Sequence, residues 1–158
     1  MRTILILLLH VALFANSYEF DEVKFVNAVG VEFRQSGKIE MMQDKTIITY
    51  SNPRFKQITR TDTNITIKGS SGDIYTLKGK ALFYTDLFIG VMTRLGNFEE
   101  LKSNKDFDVE KEGNTYYLTF KGDIRDSINK AEVKIKKTNV VSFKMFMPNE
   151  DRLQIVKK

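Results

Sequence analysis

Side chains able to do chemistry are few in this 158-residue chain. It has no cysteine, no tryptophan and a single histidine, His10, set in an apolar run near the N-terminus. Without cysteine, and with its one histidine in a segment read below as removable, the chain has no His-based triad, no thiol nucleophile and no zinc site of the usual ligands. Ser127-Ile128-Asn129-Lys130 matches the S-x-x-K of penicillin-binding enzymes, and Lys137-Thr138-Asn139 echoes their K-T-G. That chemistry needs a buried helix start, an S-D-N element and a larger domain, none of which this sequence offers. Glu99 and Glu100 are adjacent, so on a helix they point in different directions. Asp44 and Asp73 lack the alternating acidic residues a calcium loop requires. The expectation is no enzyme, no metal and no cofactor.

The chemistry left to the chain is apolar, and it concentrates in one segment. Between Ala81 and Leu101, 12 of 21 residues are apolar or tyrosine. Tyr84, Phe88, Val91, Leu95 and Phe98 follow helical 4-3-4-3 spacing, with Asp86, Thr93, Asn97 and Glu100 as the opposing stripe. The spacing predicts a helix over Lys80–Leu101 whose apolar arc is broader than a surface helix needs. Gly90 and Gly96 weaken it, and a break or a tight packing contact is expected near one of them.

Around that helix the pattern has period two. Short alternating runs such as Lys38–Met41, Thr46–Tyr50, Ile65–Ile67, Tyr116–Phe120 and Glu132–Lys136 are separated by turn clusters such as Ser51-Asn52-Pro53 and Gly69–Asp73. Val141, Phe143, Met145 and Met147 are expected to face one way. Nine or ten strands with one helical segment give an α+β, mainly β fold. A curved antiparallel sheet, an incomplete barrel, is expected to be covered by a helical lid. Phe33, Ile39, Met41, Val133, Ile135, Phe143, Met145 and Met147 are expected to line its concave face. Leu87, Phe88, Val91, Met92 and Leu95 are expected to form the lid. Methionine suits either a core or a surface that accepts variable apolar partners.

The N-terminus sets the expected compartment. Arg2 precedes an apolar run from Ile4 to Ala15, and Ala15 and Ser17 are small residues placed as in a secretory cleavage site. The reading is a signal peptide over 1–17 and one domain over 18–158. An exported domain without cysteine points to a bacterial periplasm, and no residue is present to be acylated. Asn64-Ile65-Thr66 is a glycosylation sequon that most bacteria would leave idle. The net charge of +5 includes lysine clusters at Lys134–Lys137 and Val156–Lys158. These read either as ordinary solvated surface or as a patch meeting anionic head groups. Nucleic acid is not expected, for want of a compact basic stripe.

The stretch from Val31 to Phe55 resembles the opening of the periplasmic outer-membrane lipoprotein carrier family, LolA. Phe33, Gln35, Gly37, Tyr50 and Pro53 stand where that family has a Phe-x-Gln element, a Gly-led strand, an aromatic strand and a proline. Residues 131–158 have the family's closing three-strand rhythm. The family's Arg-Pro pair falls near Gln43-Asp44-Lys45, which has neither residue. Its tryptophan-bearing stretch survives only as Gly72-Asp73-Ile74-Tyr75. The resemblance is therefore to the divergent members, some of which serve glycolipid or other lipid export. It implies a soluble, monomeric periplasmic carrier for the acyl chains of a lipoprotein or glycolipid. An inner-membrane donor complex, an outer-membrane acceptor and only transient membrane contact are implied with it. An exported structural or adaptor domain with a dry core and a protein partner is the alternative.

Overall fold

The computed structural model describes residues 16–96, 100–137 and 139–158. The apolar run that suggests an export signal lies outside them, apart from Asn16 and Ser17. Eleven antiparallel strands form one open sheet in the order β6-β5-β4-β3-β2-β1-β11-β10-β9-β8-β7. They are β1 (Asn16–Val26), β2 (Val31–Met41), β3 (Lys45–Asn52), β4 (Lys56–Thr61), β5 (Ile65–Gly69), β6 (Ile74–Thr76), β7 (Phe107–Glu112), β8 (Thr115–Phe120), β9 (Lys130–Lys136), β10 (Asn139–Phe146) and β11 (Arg152–Lys157). The one α-helix among the described residues, α1 (Gly79–Gly96), joins the two halves of the meander and packs against β1, β2, β5 and β10.

One face of the sheet is apolar and buried, as period-two alternation requires. Tyr18, Ile39, Ile48, Ile58 and Ile67 form one register row across β1 to β5. Ile155, Phe143, Val133 and Tyr116 form another across β11 to β8. The helix lies on this face and buries Ile89, Met92 and Leu95 against it. The described helix runs to Gly96; Asn97 and Phe98 of the expected helix lie outside the described residues, and Leu101 beyond them is buried.

Two strands have no counterpart in the alternation. β1 occupies the centre of the sheet, and its inward positions include Glu22 and Lys24, which break the apolar rhythm. β4 has Ile58 as its only buried residue, with Lys56 and Arg60 two positions to either side. The helix also departs from expectation at Gly90. It runs through that residue unbroken, and a Cβ added there would meet nothing within 4 Å. Gly90 is therefore neither a break nor a close contact.

Gly37 is the glycine that packing requires. A Cβ there would lie 2.7 Å from both Phe20 Cζ and the Thr49 carbonyl oxygen. The Phe20 ring fills that gap and meets Tyr50 edge-on at 5.6 Å between centroids.

Candidate functional site: an apolar cavity beneath the helix

Beneath α1 a cavity of about 230 Å³ opens between the helix and the β7–β10 side of the sheet. Leu87, Gly90, Val91 and Leu95 form its helix wall. Phe107, Leu118, Phe120, Val133, Val140 and Phe143 form its sheet wall, and Leu101 closes one side. The mouth is polar, with Arg60, Asp86, Arg94, Asn104 and Asp106 around it. Arg60 Nε and Asp86 Oδ1 form a 2.8 Å ion pair that ties β4 to the helix across this rim.

The expected lining residues divide into three groups. Leu87, Val91, Leu95, Val133 and Phe143 do meet around the cavity. Ile39, Met92 and Met145 are fully buried elsewhere in the core, while Met41, Phe88 and Ile135 pack half-buried at its margin. Phe33 and Met147 do not line the cavity, although Met147 packs half-buried against the core. Phe33 has the inward parity of Ile39, but it lies on the part of the β1–β2 hairpin beyond the core and is 56% exposed. Met147 follows β10 and borders a depression on the other face of the sheet.

Val140 was displaced by a bulge. The β9–β10 register shifts between Val140 and Ser142, so Val140 rather than Val141 shares the buried face with Phe143 and Met145. Leu118 and Phe120 were legible in the alternation of β8, two and four positions after Tyr116. Arg60, Asn104 and Asp106 gave no signal, since only the fold brings them to one rim.

A polar cluster adjoins the core on the β1–β3 side. Glu22 is 5% exposed and accepts hydrogen bonds from the Tyr50 hydroxyl at 2.8 Å and from Gln35 Nε2. Burial, reinforced by the neighbouring Glu22 carboxylate, raises the Tyr50 hydroxyl well above the ordinary phenol range. Lys56 Nζ sits 4.3 Å from the centre of the Tyr50 ring. Gln35, Gly37 and Tyr50, three of the residues that carry the family resemblance, thus converge on this scaffold cluster and none of them lines the cavity. Tyr18 extends the same strand toward the helix, where its hydroxyl donates to the Met92 carbonyl. Burial raises the Tyr18 pKa as well.

A larger depression of about 920 Å³ spans the opposite face from β1 to β7. It is an open dish edged by Glu110, Lys130, Glu132 and Arg152, with Phe25 stacked under Arg152 at 4.5 Å. Residue alternation puts it on the outward side, away from the helix. Among the described residues no group of acidic or histidine side chains could hold a metal ion. Ser127 follows a short 3-10 turn, Gly122–Asp126, rather than opening a buried helix. Among the same residues no helix is long and apolar enough to cross a membrane.

No family model and no curated protein matches the sequence. Among solved structures, the chain is similar to a DUF1329 family protein from Desulfovibrio piger, at 12% identity and TM-score 0.47, over 92% of this chain and 85% of that one. It is also similar to a putative outer membrane lipoprotein-sorting protein domain from Vibrio parahaemolyticus, at 7% identity and TM-score 0.41, over 90% and 82%. At such scores the functional reading rests on the chain's own cavity.

Proposed function

We propose that this protein is a soluble periplasmic carrier that holds an acyl chain of a lipoprotein or another lipid beneath α1 and releases it toward an outer-membrane acceptor. Gly90 carries the reading. Glycine in a helix interior costs about 0.5–1 kcal/mol relative to alanine, and here neither a positive φ nor a close neighbour requires it. Its effect is to leave the cavity wall flat where a side chain would fill the space. A permanent plug would gain by filling it.

The dimensions suit a small apolar cargo. At roughly 30 Å³ per small group, 230 Å³ takes about eight methylenes. That is one short chain or part of a long one, and burying it contributes about 6 kcal/mol before the cost of ordering it. Several chains at once would require the helix to lift. In this reading residues 1–17 direct export and are removed, and a membrane complex supplies the cargo.

The test is a pair of variants with a fluorescent fatty acid. Gly90→Leu should fill the cavity and abolish binding while the protein stays folded, and Gly90→Ala should bind more weakly than wild type. Unchanged binding by Gly90→Leu, or no binding by wild type, would sink the proposal.

The second reading is an exported adaptor with a fixed helix and a dry core. The Tyr18 hydroxyl on the Met92 carbonyl favours it, because that bond ties the helix to the central strand. It requires α1 amides to exchange as slowly as those of β1. A lid requires faster exchange that slows when lipid binds.

A further inference from the structure

The fold joins the two lysine clusters that stand 20 residues apart in sequence. β9 and β11 flank β10, so Lys134 and Val156 both pair with Ser142. This brings Lys134, Lys136 and Lys137 to the same end of the sheet as Lys157 and Lys158. Among the described residues Lys134, Lys136 and Lys137 make no ion pair, whereas Lys158 is held by Asp21 at 2.8 Å. Three further acids stand nearby: Glu132 two positions before Lys134 on β9, Glu19 beside the Phe20–Lys157 register pair, and Glu112 two strands from Lys134 across Thr115.

The turn itself adds a second observation. Lys137 adopts φ 58°, a left-handed conformation that glycine takes at no steric cost and lysine does not. The exposed tip of the β9–β10 hairpin thus carries a cation at a position where backbone strain disfavours it. Just inside that tip, Val140 forms part of the cavity wall.

We propose that this lysine-bearing end of β9–β11 is a docking surface for an anionic phospholipid bilayer, and that it sets the Val140 end of the cavity against the membrane. Clustered lysines near such a surface attract it over a Debye length, without an inserted anchor. The surface stands independently of the carrier reading, since it needs no cargo.

The experiment compares binding of the full chain to vesicles of roughly one-third phosphatidylglycerol in phosphatidylcholine with binding to phosphatidylcholine alone. Any contribution from the apolar N-terminal run enters both arms. The wild type should prefer the anionic vesicles at low salt and lose that preference at high salt. Replacing Lys134, Lys136 and Lys137 by Gln should lower binding about fivefold per lysine and roughly a hundredfold together. Lys137→Gly alone should raise the melting temperature while weakening vesicle binding, a pair of opposite signs that a structural role would not produce. Fatty-acid binding in solution should be unchanged in all of these variants, which separates this surface from the cavity.

Three outcomes would overturn the proposal. One is equal binding to both vesicle types. Another is an equal loss when the exposed Lys68, Lys78 and Lys80 are replaced by Gln instead. The third is binding to polyglutamate but not to anionic vesicles, which would assign the surface to an acidic protein.

Discussion

The two halves of the sheet bury their inner faces in different ways. From β7 to β10 the inward residues are almost all apolar, and a cavity lies between them and the helix. From β1 to β4 the inward face also carries Glu22, Lys56 and Arg60. Glu22 and Arg60 are matched by residues distant in sequence, Tyr50 and Gln35 for the first and Asp86 for the second, while Lys56 lies over the ring of its hairpin partner Tyr50. Of these only Glu22 is buried, and its pairing fixes one geometry because an unpaired buried group is costly. Apolar walls tolerate change in what they touch. One half is thus suited to hold the frame and the other to accept a variable occupant.

The strongest way to break that contrast is to remove the centre of the frame. Phe20→Ala should cost about 3–5 kcal/mol in urea unfolding, because the ring is fully buried and fills the space above Gly37. A loss below 1 kcal/mol would show that the β1–β4 half is as adaptable as the other. Next in size, Gly37→Ala should cost about 1–3 kcal/mol by overpacking against Phe20 and the Thr49 carbonyl. Gly90→Ala, on the cavity side, should instead stabilise by about 0.5–1 kcal/mol. Opposite signs at two glycines would sharpen the comparison, and equal signs would remove it.

The frame should also fail first at high pH. Tyr50 and Tyr18 have raised pKa values in the fold, so their contribution is fully present below the unfolded value near 10 and declines above it. Tyr50→Phe should make the alkaline decline shallower and lower neutral stability by about 1–3 kcal/mol. An unchanged alkaline limb would mean that the Glu22 cluster does not carry the effect. The smallest effect is expected at acid pH. Asp21 is held below the ordinary carboxylate range by hydrogen bonds from Lys158 and then Ser36. Its stabilisation is present above the unfolded pKa and lost as pH falls through the folded one. Asp21→Asn should therefore slightly flatten the acid limb of a stability curve, and only slightly because the pair is solvent-exposed.

The same contrast explains what could be read in advance. β8, β9 and the later part of β10 alternate cleanly and were legible, as was the apolar helix, and with them five residues that meet at the cavity. β1 and β4 were not legible, because their inward charges are compatible with burial only through partners that folding supplies. Phe33 had the right parity, but parity does not say where along a strand the core ends. Val140 was hidden by a bulge, since one extra residue reverses every inward assignment before it.

The sequence by itself determined a mainly β chain with one greasy helix, no cysteine and a single histidine, because composition and periodicity are local properties. Tertiary structure decided the rest. It put Glu22 beside Tyr50, turned Gly90 toward open space, brought two lysine clusters to one end, and joined Arg60 to Asp86 across the cavity mouth. These are long-range juxtapositions fixed by strand order and register, and residue spacing along the chain does not encode them in readable form.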